Sequence, residues 1–221
     1  MIKEFKISAS HCHEIMGVKG LGKTGENYLK TWYLSKKYNR KKEFFSKFVE
    51  KGLSVEYKGI EMLSNLQGMD LSKNEEWFEN DFMGGFPDVI YNGIVFDIKS
   101  SWNIFTFPFF DKELPNKDYY WQLQVYMAAT GLSKASIVYC LIDTPKPLIQ
   151  QELKKLYFQS GGQSEDWTPE TYKELEINYQ FNDIPESERI KEFEVLRNDK
   201  DIELIKTRVL ECREYIKNNF K

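Results

Sequence analysis

The chain has 221 residues, of which 41% are hydrophobic and 29% are charged, which is typical of a globular protein of one domain or of a domain with an added subdomain. The net charge of −3 counts mildly against nucleic acid as a partner but still allows a local basic groove. Three widely spaced cysteines exclude a zinc ribbon and a disulfide framework, and they favour a reducing environment. The sequence shows no signal-peptide pattern and no long apolar run, so we expect a cytoplasmic protein without membrane contact, in a bacterial cell or a phage-infected host.

The predicted elements alternate between helical and extended patterns. A short strand or arm and a glycine- and lysine-rich loop precede a helix near residues 26–34. Apolar residues at helical spacing predict a long amphipathic helix over 41–67. Its stripe consists of Phe44, Phe45, Phe48, Val49, Leu53, Ile60 and Leu63. Two β-rich runs, 89–91 and 94–96, flank Asn-Gly and predict a hairpin with a type I′ turn.

The second half of the chain is predicted to be mainly helical. Helices are expected over 118–131 and 148–158, with a buried strand over 135–142 between them. A flexible loop is expected at 161–164, and a long charged helix over 186–219 with an interruption near 198–199. This order indicates a mixed α/β (α+β) fold. We expect a core domain over 1–150 and a mostly helical extension over 151–221 packed on it.

The hairpin register places two carboxylates opposite each other. With a two-residue turn, Asp88 faces Asp97, and Lys99 lies two residues further along the same face. Like charges directly opposite are destabilising, so this pair requires a reason, and a bound Mg²⁺ supplies one because it prefers oxygen ligands. The other face of the hairpin is apolar and is expected to pack on the core. The alternative is an exposed hairpin with scattered charges.

Two helices contribute further polar candidates. Glu56 falls on the apolar stripe of the helix over 41–67, where an acid is anomalous unless it has a partner. Gln122 and Tyr126 are four residues apart and share one helix face, from which Gln122 can bind a phosphate or orient a catalytic group. The alternatives are a glutamate at the stripe edge that reaches solvent and an ordinary polar edge of an amphipathic helix.

These segments together carry a family resemblance. GFPD at 85–88, FDIK at 96–99 and QLQVY at 122–126 resemble the GxxD, (D/E)xK and QxxxY motifs of PD-(D/E)XK nucleases. The most similar variety includes phage lambda exonuclease, YqaJ-type viral recombinases and RecB-type nuclease domains. Segment GLSVE at 52–56 is similar to the helix that presents a glutamate to the metal in that family. Segment ISAS at 7–10 is similar to the N-terminal segment of the phage members. The resemblance covers roughly residues 5–142.

The resemblance implies a restriction-endonuclease-like core, with a mixed central β-sheet flanked by helices, and a metal-dependent DNA exonuclease. It implies that Asp88, Asp97, Glu56 and the backbone carbonyl of Ile98 bind Mg²⁺ or Mn²⁺, and that Lys99 handles the attacking water. Four residues are expected to support the site or contact DNA: Gln122, Tyr126, Ser100 and Lys23. Double-stranded DNA with a free end, a single-strand annealing protein and a ring-like homo-oligomer are the implied partners. No iron–sulfur cluster is expected, because the three cysteines are badly spaced.

Other interpretations remain open on the residues alone. Residues 17–24 match GxxxxGK[ST] literally, but no buried strand is predicted before them, so a basic or plain surface loop is preferred to a nucleotide site. His11 and His13 lack a third zinc ligand. The basic stretch over 36–42 is either a solvated helix end or a phosphate-contacting patch. The rival functions are an endonuclease of the same fold, a non-catalytic DNA-binding module and a nucleotide-hydrolysing switch.

Overall fold

The computed structural model describes residues 4–43, 46–162 and 167–220. Its helices are α1 (Cys12–Ile15), α2 (Gly22–Tyr38), α3 (Lys47–Gln67), α4 (Lys117–Thr130), α5 (Lys146–Gln159), α6 (Pro169–Glu176) and α7 (Asp199–Asn219). Its strands are β1 (Ile7–Ser8), β2 (Phe78–Glu79), β3 (Met83–Gly85), β4 (Val89–Tyr91), β5 (Ile94–Ser100), β6 (Lys134–Cys140) and β7 (Ile190–Leu196). None of the helices in these ranges has the length and apolar character needed to span a bilayer.

The central sheet contains four strands in the order β4-β5-β6-β7. Strand β5 pairs antiparallel with β4 and parallel with β6, and β6 pairs antiparallel with β7, so the sheet is mixed. The hairpin has the predicted register, with Val89 opposite Phe96 and Tyr91 opposite Ile94. Asn92 and Gly93 have φ angles of 47° and 78°, which a type I′ turn requires.

Helices cover both faces of the hairpin. The face that contains Val89, Phe96 and Ile98 packs with α3 in one hydrophobic cluster. The opposite face contributes Val95 to the larger cluster, which includes Leu123 and other residues of α4. The prediction of an apolar, core-facing hairpin side is therefore confirmed. Because β5 lies between two helices, its polar residues near the carboxyl end are brought next to side chains of both.

The predicted stripe of the helix over 41–67 is only partly correct. Residues 41–43 are not helical, and helix α3 begins at Lys47 instead of at residue 41. Phe44 and Phe45 lie outside the described residues. Ile60 and Leu63 are buried as expected, whereas Leu53 is 73% exposed. Phe48, Val49 and Leu53 in the first half of α3 line an open cleft instead of the core.

The long helix predicted over 186–219, with an interruption near 198–199, is wrong in its first part. Residues 190–196 form β7, the edge strand beside β6, and only the part from Asp199 onward is helical, as α7. Alternate residues Phe193 and Val195 are buried, and the charged residues Glu192 and Glu194 are exposed. The division of the chain at residue 150 stays a prediction, and the central sheet takes one strand from beyond it.

A second, small sheet holds the start of the chain. Strand β3 pairs parallel with β1 and antiparallel with β2, which gives the order β1-β3-β2. Helix α2 extends beyond the predicted 26–34 at both ends. The loop over 161–164 is described only as far as Gly162, so that prediction falls partly outside the described residues.

Candidate active site

Two aspartates meet beside the middle of β5, as the hairpin register predicts. Asp97 is 1% exposed, and Asp88 lies just before β4 on the neighbouring strand. The backbone N–H of Ile98 donates a hydrogen bond of 2.6 Å to Oδ2 of Asp88, which fixes this carboxylate beside the main chain of β5. The hairpin therefore holds two acids close together in a poorly hydrated place.

This crowding changes the acidity of Asp88. Burial raises the pKa of Asp88 to about 8, and the charge of Asp97 adds to the rise. The Lys99 ammonium and the hydrogen bond from Ile98 act in the opposite direction. Because two neighbouring acids titrate as a pair, the pair holds a proton at neutral pH in the absence of a cation. Perturbed acidity of this kind is characteristic of functional sites.

Lys99 supplies the positive charge next to this pair. Its Nζ atom lies 2.5 Å from Oδ2 of Asp97 and 4.8 Å from the centroid of the Tyr119 ring. Burial opposes the charge of Lys99, but Asp97 and Asp88 outweigh burial and raise the pKa of this lysine. Lys99 is therefore an ammonium group at neutral pH.

Helix α4 orients Asp97 from the other side. Nε2 of Gln122 donates to Oδ1 of Asp97 at 2.8 Å and to the Tyr126 hydroxyl at 3.0 Å. Burial and the two aspartates raise the pKa of Tyr126, so it remains a neutral phenol. Gly85 makes room for this ring, because a Cβ atom at position 85 would lie 2.7 Å from Cε1 of Tyr126. Packing against the Tyr126 ring therefore explains why the GxxD segment has a glycine at position 85.

Glu56 enters the same cleft from α3. Its carboxylate accepts a hydrogen bond of 2.8 Å from Nζ of Lys73, in the segment between α3 and β2. The contact with Glu56 raises the pKa of Lys73, with further contributions from Asp88. Lys73 was not identified from the sequence, because nothing local relates a loop lysine to a glutamate 17 residues earlier.

One cleft of about 500 Å³ brings most of the predicted residues together. The predicted residues that line it are Glu56, Asp88, Asp97, Ile98, Lys99, Ser100, Gln122 and Tyr126. Lys23 is not among the lining residues: its side chain is 82% exposed and pairs with Glu26. The segment before it forms helix α1, not the strand that a nucleotide-binding P-loop needs. The cleft wall also contains Phe48, Val49 and Leu53 of α3, which explains their exposure.

The donor set fits a hard divalent cation. Oδ2 of Asp97 is buried and receives no hydrogen bond of suitable geometry from the described residues, and its close neighbour is the Lys99 ammonium. Carboxylate and carbonyl oxygens are the ligands that Mg²⁺ and Mn²⁺ take. Among residues 4–43, 46–162 and 167–220, no three His, Cys, Asp or Glu side chains converge closely enough to form a ready-made metal cluster. Asp88 and Asp97 are the candidate ligands, and Glu56 faces them with Lys73 as its present partner.

Solved structures share this fold. The chain is similar over 96% of its length to a phage-related exonuclease from Haemophilus somnus 129PT, with a TM-score of 0.78, 24% identity and 94% of that chain covered. It is also similar to an alkaline exonuclease from Laribacter hongkongensis, with a TM-score of 0.65, 16% identity, and 96% and 92% of the two chains covered. The same enzyme in complex with dAMP gives a TM-score of 0.64 and 17% identity, with the same coverage. No protein-family model and no curated protein matches the sequence. The resemblance drawn from the motifs is thus confirmed at the level of the fold.

Proposed function

We propose that the chain is a metal-dependent deoxyribonuclease that degrades linear double-stranded DNA from its ends. The observation that carries the proposal is the group of Asp88, Asp97 and Lys99, with Gln122 bonded to Asp97, in an open cleft. The fold is shared with structures described as phage-related and alkaline exonucleases, which supports DNA as the substrate. An isolated surface hairpin would not bury Asp97 or pair it with a helix side chain.

The residues of the cleft have distinct roles in phosphodiester hydrolysis. Asp88, Asp97 and Glu56 would hold one or two divalent cations, with the Ile98 carbonyl as a further oxygen ligand. When bound, the metal neutralises the phosphate and lowers the pKa of the attacking water. The water oxygen forms a bond to phosphorus and releases one proton to solvent, the bond from phosphorus to the leaving oxygen breaks, and that oxygen takes up a proton from solvent, so that one water is consumed. Because Lys99 is protonated, it acts as a donor that orients the water or a phosphate oxygen, and not as a base.

Gln122 and Tyr126 act on this chemistry through Asp97. The amide of Gln122 fixes one carboxylate oxygen, so the other oxygen of Asp97 remains directed to Lys99 and the cleft. Such partners hold a ligand in the orientation that a metal requires. Ser100 borders the cleft one residue beyond Lys99 and is proposed to contact the DNA backbone.

The test compares linear and closed circular duplex DNA. Purified protein is incubated with each substrate in Mg²⁺, Mn²⁺ or EDTA, beside Lys99→Ala and the control Lys134→Ala. Lys134 is a half-exposed lysine on the adjacent strand β6, so it controls for loss of a strand lysine. We expect metal-dependent loss of linear DNA alone, reduced by about 100-fold or more in Lys99→Ala and unchanged in Lys134→Ala. Cutting of the circle would indicate an endonuclease, and no cleavage with either metal would refute catalysis by this chain alone.

The assembly and the partners stay predictions of the resemblance. A ring-like homo-oligomer is checked by light scattering during size-exclusion chromatography. Binding of a single-strand annealing protein is checked by co-purification with a candidate expressed beside this chain. The cytoplasmic location likewise stays a prediction.

A further inference from the structure

Lys51 on α3 is a lysine without any solvent contact. It is 0% exposed, although lysine is almost never fully buried unless it is paired. Its Nζ atom donates hydrogen bonds to the backbone carbonyls of Ser101, at 2.5 Å, and Trp102, at 3.3 Å. In the part of the chain that the structure describes, these carbonyls are its hydrogen-bond acceptors, and no carboxylate forms an ion pair with it.

The surroundings of Lys51 join three segments. Its Nζ atom lies 5.3 Å from the centroid of the Phe181 ring and 6.0 Å from that of Trp102. The Trp102 carbonyl also accepts a hydrogen bond of 3.3 Å from the Thr144 hydroxyl. Burial lowers the pKa of Lys51 to about 7, against the opposing charge of Asp143. The lysine therefore connects α3, the segment after β5 and the segment after β6.

These contacts lie directly behind the cleft. Ser101 and Trp102 follow β5, which carries Asp97 and Lys99, and both residues line the cleft. Lys51 is on the same helix as Glu56, five residues before it. The two sides of the candidate metal site, the strand and the helix, are thus bonded to each other through one buried lysine side chain.

We propose that Lys51 is a positioning residue whose bonds to the Ser101 and Trp102 carbonyls set the separation of Glu56 from the Asp97–Lys99 pair. This inference rests on the proposed function, because it concerns the same site. Replacing Lys51 by an apolar side chain also takes a donor from the two carbonyls, which costs stability. Metal affinity of the folded variant is therefore the measurement that separates a positioning role from a structural one.

The test measures metal binding directly, and not only cleavage. Mn²⁺ binding to the metal-free full chain is followed by calorimetry, well below the melting temperature, for wild type, Lys51→Met, Lys51→Arg and the control Lys58→Met. Lys58 is an exposed lysine on the same helix. We expect the Mn²⁺ dissociation constant to rise about 10-fold or more in Lys51→Met, the size typical for loss of a residue that orients metal ligands. Lys51→Arg keeps the charge and the donors and should recover part of the affinity, and Lys58→Met should stay within about twofold of wild type.

The outcomes separate this inference from the proposed function. If wild type cleaves DNA and folded Lys51→Met binds Mn²⁺ within twofold of wild type, the positioning role is overturned and the function stands. If wild type binds no divalent cation, the proposed function fails and the inference fails with it. If Lys51→Met does not fold, Thr144→Val carries the test, because it removes the second donor to the Trp102 carbonyl. Its Mn²⁺ dissociation constant should rise in the same direction by a smaller factor, and an unchanged constant overturns the inference.

Discussion

Asp88→Asn should make the metal-free protein more stable while abolishing its activity. The folded chain raises the pKa of Asp88 from 3.8 to about 8, so deprotonation of this group costs the folded state free energy. Each pH unit between the two pKa values corresponds to 1.36 kcal/mol, which gives a cost of about 6 kcal/mol above pH 8. Asparagine imitates the protonated acid and still offers an oxygen to the Ile98 N–H, so it avoids this cost.

The sign of the effect depends on pH in a defined way. An acid whose pKa is higher in the folded state contributes stability that is present below pH 3.8 and is lost as the pH rises through 8. The free energy of unfolding of Asp88→Asn, measured by urea titration in EDTA, should therefore equal that of wild type near pH 4. The variant should be more stable by about 6 kcal/mol at pH 9. Asp70→Asn, at an exposed site, is the control and should show no such gap.

Divalent metal should narrow the stability gap between Asp88→Asn and wild type. Mg²⁺ binds the folded wild type and stabilises it in proportion to the logarithm of its concentration, whereas the variant has lost a ligand. The gap at pH 9 should thus narrow as Mg²⁺ is added. The hypothesis is that ionised Asp88 destabilises the folded chain until a divalent cation binds. It would be refuted if the variant were less stable than wild type at pH 9 in EDTA, or if Mg²⁺ did not change the difference in stability.

Three further substitutions test other parts of the structure. Gln122→Leu should reduce DNA cleavage about 10- to 100-fold without changing the circular dichroism spectrum, because Asp97 loses the donor that orients it. Gly85→Ala should lower the free energy of unfolding by about 1–3 kcal/mol in urea titrations, because the new methyl group meets the Tyr126 ring. The pKa of Lys51 is lower in the folded chain than in the unfolded chain. Between pH 7 and 10.5, the free energy of unfolding of wild type, measured by urea titration, should therefore rise relative to that of Lys51→Met by up to 1.36 kcal/mol per pH unit. If the difference in free energy of unfolding between the two proteins does not change with pH, Lys51 is hydrated in the folded chain.

The core of the site could be predicted from the sequence because its geometry is local. A two-residue Asn-Gly turn fixes which residues face each other, so Asp88, Asp97 and Lys99 were placed on one face without any tertiary information. The pairing of Gln122 with Tyr126 follows from helical spacing alone. The hydrogen bond from Gln122 to Asp97 is not predicted by the sequence, which offers only a phosphate or a catalytic group as the partner of Gln122, since 25 residues separate the two side chains.

The errors occurred where long-range packing decides the outcome. The segment that forms β7 has alternating buried residues at Phe193 and Val195, a strand signal that its many charges obscured. Lys51 would have been placed on the solvated side of α3 by any pattern based on polarity. It is buried because the carbonyls at the end of β5 need donors at that point, and this requirement is visible only once helix and strand are packed.

The charges around the cleft explain how a fold can keep three acids together before a metal arrives. Glu56 is paired with Lys73 and Asp97 with Lys99, which leaves Asp88 as the acid without an ammonium group of its own. Asp88 is also the acid whose pKa rises to about 8, so at neutral pH a proton takes the place of a counter-ion. Metal ligands must be deprotonated to bind, so a cation that enters near neutral pH has to displace this proton. Metal affinity should therefore increase as the pH approaches 8. The protonation of Asp88 thus determines both the stability of the metal-free chain and the affinity of its site for a cation.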